Sequence, residues 1–339
     1  MCQDGLGYTA RTMAKLETQY LGLQLKNPFV VSSSSLTQST DGIKRAASAG
    51  AAAVVLKSLF EEQIESDISD DVHGAEEFQH PEAVEYVRQM GMRLGPNDYI
   101  SLVEEAKRAV DIPIIASINC VSTKWWGSFA TQIAEAGADA LELNISLMPT
   151  DPDLGGEAVE RTFVRIVDKV RRTVDLPIAV KIGPHFSALP AMAAELRKAG
   201  AKALVLFNRF YRFDIDLSKG ELKAANQFSS PEEMHLPLRW VSTLYDQVGC
   251  ELCASTGVHD ADGAAKLLLA GAQAVQVCSA LYKNGYDQLS VIIEGLNTWM
   301  DKNGHKSIAD IRGTLSRARS KKPEAYERLQ YIKALTGIS

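Results

Sequence analysis

Cysteine is scarce in this 339-residue chain, and the five present (Cys2, Cys120, Cys250, Cys253, Cys278) are odd in number and scattered. That excludes a disulfide framework of the kind that staples small secreted domains. It also excludes a cysteine-held iron–sulfur cluster within the chain. Cys250 and Cys253 form a C-x-x-C, but the pair falls on a predicted strand without a second pair or a histidine cluster, so both read as core cysteines and no metal site is expected. Basic residues are outnumbered, 36 against 42 acidic, for a net charge of −6. Such a chain offers no electrostatic footprint for nucleic acid or an anionic membrane surface. No run of about 18 apolar residues exists to span a bilayer, and no secretory signal pattern opens the sequence. The expected location is the cytoplasm.

What is present is a repeated joint. Ala49-Gly50-Ala51, Ala136-Gly137-Ala138, Ala199-Gly200-Ala201 and Ala270-Gly271-Ala272 each end a helical pattern and run into a short apolar segment. The glycine suits the left-handed residue that stops a helix, and the apolar runs suit strands buried in a parallel sheet. Two further joints, Val110-Asp111-Ile112-Pro113 and Val174-Asp175-Leu176-Pro177, place a proline where a strand begins, at no cost in ladder hydrogen bonds. Adding 29–33 and 250–255 gives eight candidate strands alternating with helices. This predicts an α/β fold, a (β/α)8 TIM barrel, with a doubly wound sheet as the weaker alternative. The whole of 1–339 reads as a single barrel domain, with a flexible N-terminal extension over 1–15 and a C-terminal helical extension over 317–339.

Two connections exceed a simple joint. Residues 60–110, after strand two, open with an acidic run and include a predicted helix over 97–110; residues 209–237, after strand six, open with Arg-Phe-Tyr-Arg-Phe. Both follow the carboxyl ends of strands, where barrels keep their chemistry, so they read as covers of the catalytic face or subunit contacts. The arginines of the second suit an anion clamp.

Polar residues cluster at the strand ends: Ser32 and Ser33, Lys57 and Ser58, Ser117 and Asn119, Asn144 and Ser146, Lys181, Asn208, Ser255 to Gly257, and Cys278 with Ser279. Two lysines in a barrel mouth are costly to desolvate without an anionic partner, which points to a ligand. Small residues at the ends of strands seven and eight, ahead of a helix starting near Asp260 or Asp262, suit a phosphate held by backbone N–H groups.

Asn27-Pro28-Phe29, Lys57-Ser58, Glu142-Leu143-Asn144-Ile145-Ser146, Val180-Lys181, Asn208, Ser255-Thr256-Gly257 and the stretch Gly304 to Gly313 together resemble the FMN-dependent dihydroorotate dehydrogenases, over about Leu16 to Ser316. The resemblance implies FMN at the mouth, its phosphate on Thr256, Gly257, Cys278 and Ser279 and its ring beside Ser32, Ser33, Ser58 and Asn119. It implies that Lys181 stabilises charge on the reduced ring. Lys57 would touch flavin and substrate, and Asn144 and Asn208 would bind both as well. The implied reaction is hydride transfer between flavin and a C–C bond beside a carbonyl, with dihydroorotate or a related small ring as substrate.

The match departs at the chemistry. Where the family places a Cys or Ser base this chain has Leu147, and Pro149 stands for the family's asparagine. Leu147 cannot accept a proton. Ser146, Thr150 and His80 are the substitutes to test as base. The family's Gly-rich segment before strand seven is replaced by Phe228-Ser229-Ser230-Pro231. Two other readings stay open: a Schiff-base lyase or aldolase using Lys57 or Lys181, and an FMN-binding subunit without its own dihydroorotate turnover. Expected partners are a small-molecule substrate, a second copy of the chain as a homodimer, and a separate electron-acceptor protein.

Overall fold

The computed structural model describes residues 14–61, 63, 96–120, 126–209, 212–225, 228–327 and 335–336. Eight parallel strands close into a barrel in chain order: Phe29–Val31, Ala53–Val55, Ile114–Cys120, Ala140–Ile145, Ile178–Ile182, Ala203–Leu206, Glu251–Ala254 and Ala274–Val277. Closure is made by the last strand pairing with the first, Val275 opposite Phe29. The second pairs across to the third through Val54 and Ile114. A short continuation of the second strand, Leu59–Phe60, pairs with Ile118 and Asn119.

The joints behave as their residues require. Gly50, Gly137, Gly200 and Gly271 all sit at positive φ, between 90° and 126°, where a side chain would be strained. Helix Gly156–Thr173 buries Phe163, Ile166, Val167 and Val170, the i, i+3, i+4, i+7 stripe of a helix packed on a sheet. The predicted helix over 97–110 is Pro96–Ala109. Helix Ala261–Ala270 starts at Asp260, whose carboxylate accepts from Gly263 N at 2.8 Å.

Strand alternation sorts side chains into two cores. Leu141, Leu143, Val180, Leu204 and Val275 point outward into the large core between strands and helices. Ala53, Ala140, Ala179, Ala203 and Ala274 point inward, and their small size leaves a hole at the barrel's floor. An N-terminal hairpin, Thr18–Tyr20 with Leu23–Leu25, fills it with Tyr20, Leu21 and Leu25, all under 3% exposed. Ala14 N donates to Asp301 Oδ1 and Lys15 N to Lys306 O, so the expected flexible extension is anchored at its last two residues.

Sequence and structure differ after strand six. Residues 209–237, a plain connection in sequence, carry an antiparallel hairpin, Phe213–Asp216 with Glu221–Ala224. Its arginines clamp a protein carboxylate: Arg209 Nε and Arg212 Nη2 donate to Glu233 at 3.0 and 2.7 Å and hold that carboxyl below its usual range. Of the extension expected over 317–339, the described residues hold a 3₁₀ turn at Pro323–Tyr326 and a helical pair at 335–336. His80 and most of the first long connection lie outside the described residues. Among those residues no helix is long and apolar enough to cross a membrane.

Candidate active site

Inward residues change character from floor to mouth. Above the alanine layer comes an ionic layer contributed by strands four, five and eight. Lys181 Nζ donates to Ser32 Oγ at 3.1 Å and to Gln276 Oε1 at 2.9 Å. Gln276 Nε2 in turn donates to Glu142 Oε2 at 2.5 Å. The free oxygen of Glu142, Oε1, lies 3.8 Å from Lys181 Nζ, close enough for charge attraction and too far for a hydrogen bond. Glu142, Lys181 and Gln276 are all buried. Burial pushes the Glu142 carboxyl up, with Lys181 and Gln276 pulling against it.

The top layer is polar and open to the mouth. Ser58 Oγ lies 3.0 Å from Ser33 Oγ and 2.8 Å from Ser117 Oγ. Asn208 Nδ2 donates to Asn144 Oδ1 at 2.8 Å, which sets two amides side by side at the ends of strands four and six. Asn119 is buried on the third strand. Lys57 is half-buried with its ammonium 5.1 Å from the Phe60 ring, and burial lowers its pKa. Ser32, Ser33, Lys181, Asn208, Thr256, Gly257, Cys278 and Ser279 line one cavity of about 200 Å³. Eight of the residues picked from the sequence therefore meet in one place.

Of the proposed bases, Ser146 is half-buried and Thr150 exposed, and neither lines that cavity. Leu147 packs against the outer core.

Three residues escaped the sequence reading. Glu142 and Gln276 had a visible signal: a charged and an amide side chain inside apolar strands, each two positions before a mouth residue and so on the same inward face. Ser229 had none. It is buried in the segment that replaces the family's glycines, its Oγ accepts from Gly257 N at 3.2 Å, and its N donates to Ser279 Oγ at 3.0 Å.

The phosphate end fits an anion. Thr256 and Gly257 are consecutive residues at φ +81° and +78°, and the backbone N–H groups of Thr256, Cys278 and Ser279 have no partner among the described residues. A Cβ on Gly257 would come within 2.3 Å of Met234 N. Gly257→Ala is therefore expected to cost about 2–4 kcal/mol in strain and overpacking, read by chemical denaturation. An unchanged midpoint would contradict that close approach.

A closed parallel barrel with a buried lysine below an amide pair and free backbone N–H groups at strands seven and eight defines a (β/α)8 barrel whose polar mouth fits an anionic ligand. A family model described as dihydroorotate dehydrogenase matches residues 15–300, and the chain belongs to that family. It is an FMN-dependent oxidoreductase acting on CH–CH bonds. The chain is 29% identical over 308 residues to the dihydroorotate dehydrogenase B (NAD(+)) catalytic subunit of Methanothermobacter thermautotrophicus, covering 88% of this chain and 97% of that protein. It is 27% identical over 321 residues to the protein of the same name from Thermoplasma volcanium, covering 89% and 98%.

Proposed function

We propose that the substrate is a small ring carrying adjacent amide and carbonyl groups, with dihydroorotate the first to test. The observation that carries this is the Asn208–Asn144 amide pair, set at the mouth just above the fixed Lys181 ammonium, with Asn144 opposite Lys181 in the strand register. Each amide offers a donor and an acceptor, the complement of a cyclic amide. When bound, FMN supplies the hydride acceptor. Lys181, held by Ser32 and Gln276, keeps a positive charge fixed where negative charge develops, without reorganising. Ser32, Ser33, Ser58 and Asn119 surround the ring's place, and Thr256, Gly257, Cys278 and Ser279 hold the phosphate end. Lys57 is the cation that reaches the substrate.

The bonds and ion pair on Lys181 argue against a Schiff-base role for it, since a nucleophilic amine must be neutral. The proton taken from the substrate goes to a group other than Leu147, and Ser146, Thr150 and His80 remain the residues to replace. For each, anaerobic flavin reduction by the Ala variant decides: an unchanged rate removes it.

The deciding experiment is an anaerobic visible spectrum during addition of dihydroorotate. A yellow protein that bleaches supports the proposal. A yellow protein that stays unbleached would favour a different ring or an FMN-binding subunit without that turnover, the reading Leu147 supports. A colourless protein that takes up no added FMN would overturn the roles given to the mouth.

A protein partner that accepts electrons is also proposed. The relatives are named catalytic subunits, and this sequence has no iron–sulfur cysteine cluster of its own. Phe213, Ile215 and Leu222 lie exposed on one face of the hairpin after strand six, a surface suited to that partner or to a second copy. The proposed compartment is the cytoplasm, where a scattered, odd set of cysteines stays reduced.

A further inference from the structure

A second and larger cavity, of about 770 Å³, opens at the floor of the barrel, at the end of strands five to seven opposite the mouth. Four cations line it: Arg171, Arg197, Lys202 and Arg312. Two are held by the backbone around them. Arg171 lies across Gly200, where a Cβ would sit 2.6 Å from its Cγ, and donates through Nη1 to Val174 O at 3.0 Å. Arg197 donates Nε to Gly249 O at 3.2 Å. The Nη2 group of Arg171 and both Nη groups of Arg197 keep their N–H donors unused among the described residues.

The other two have less. Neither Lys202 nor the half-buried Arg312 makes a side-chain hydrogen bond or an ion pair within 4 Å among the described residues. Three carboxylates line the same cavity. Asp175 is taken by Arg171 at 3.2 Å, and Asp246 lies 3.8 Å from Arg319. Glu251 is the third: its Oε2 accepts from Leu21 N at 2.5 Å, and Lys202 and Arg312 oppose the upward push of burial on its pKa. Lys202 and Arg312 thus share one carboxylate and Arg197 has only a backbone carbonyl among the described residues, in a chain whose net charge is −6. Positive charge left uncompensated in one concave place of an acidic protein is the condition for holding an anion.

We propose that this floor cavity binds a phosphorylated small molecule, at a site separate from the phosphate cradle of the mouth. Guanidinium groups match the oxygens of a phosphate two at a time, and two of the arginines are already oriented by backbone carbonyls. The volume falls within the range of pockets that enclose nucleotide-sized ligands. Glu251 also holds Leu21, next to Tyr20 of the hairpin that fills the barrel, so an anion drawing Lys202 and Arg312 away from Glu251 bears on that hairpin.

The test is calorimetric titration of the FMN-loaded protein with inorganic pyrophosphate at low ionic strength, with the mouth's own phosphate cradle filled. Saturable binding is expected, weakened about tenfold in Arg312→Gln and in Lys202→Gln, the size of one lost charge-assisted contact, with the flavin spectrum unchanged. Lys202 is exposed, so its variant decides the matter alone should Arg312→Gln fail to fold. Absence of saturable heat up to about 10 mM pyrophosphate would overturn the proposal, that concentration lying beyond the weak end of such affinities. Binding of equal strength in both variants would overturn it as well, by placing the anion elsewhere.

Discussion

Lys181→Met is expected to destabilise the protein by about 3–5 kcal/mol, because it leaves the buried Glu142 carboxylate without its counter-charge. Reduction of the flavin should slow by about 10²–10³, the usual loss when a fixed electrostatic group at developing charge is removed. Stability and rate separate in the double variant. Lys181→Met with Glu142→Leu removes both charges and should recover most of the lost stability, since a buried pair replaced by apolar groups is often neutral. It should not recover the rate. Denaturation curves and anaerobic stopped-flow traces on the same preparations check both halves, and a single Lys181→Met variant as stable as the parent would refute the ionic layer as described.

The same layer fixes a pH dependence. The folded protein holds the Glu142 proton more tightly than the unfolded chain does. Stability from this group is therefore full below the ordinary glutamate value near 4.3 and is lost as pH rises through the higher folded value. Glu142→Gln should flatten that part of the stability profile, and an unchanged slope would count against the assignment.

Tyr20 should give the second large effect, with opposite signs for two substitutions. It is 1% exposed in the floor of the barrel, and among the described residues its hydroxyl makes no regular hydrogen bond, with the weak thiol of Cys253 beside it. Tyr20→Ala empties a space ringed by alanines that are already small and cannot close over it. The expected cost is about 3–5 kcal/mol. Tyr20→Phe keeps the ring and deletes an unsatisfied polar atom, so it should be neutral or stabilise by about 1 kcal/mol. A thermal melt of both variants distinguishes the hydroxyl from the ring; a Phe variant as damaged as the Ala variant would mean the hydroxyl has a partner after all.

Much of the barrel was legible because its signals are local. Each Ala-Gly-Ala joint needs a left-handed residue at one position, and each strand is a short apolar run beside it. The mouth was legible for a related reason: strand ends are fixed by those joints, so the polar residues that follow must gather at one end. The ionic layer beneath was legible in principle, since Glu142 precedes Asn144 by two and Gln276 precedes Cys278 by two, yet their pairing with Lys181 joins residues on three different strands. No local pattern encodes such a meeting. The role of Ser229 is hidden further, because it rests on where an irregular segment brings its hydroxyl to Gly257 N. The arginines after strand six show the converse error: their charge suggested a ligand, and the carboxylate that takes them sits more than twenty residues away at Glu233.

The floor of the barrel is latched by two segments far apart in the chain. Lys15 N donates to Lys306 O and Ile308 N donates to Lys15 O, while the hairpin between them and the first strand fills the lumen. On the ribosome, the hairpin is made long before the segment that latches it. Until residue 308 has left the exit tunnel, Tyr20 and Leu25 have a lumen to enter but no latch to hold them, and the last strand that would close the cylinder is itself only just emerging. A nascent chain stalled before that point should remain sensitive to protease at the hairpin, and one released after it should not.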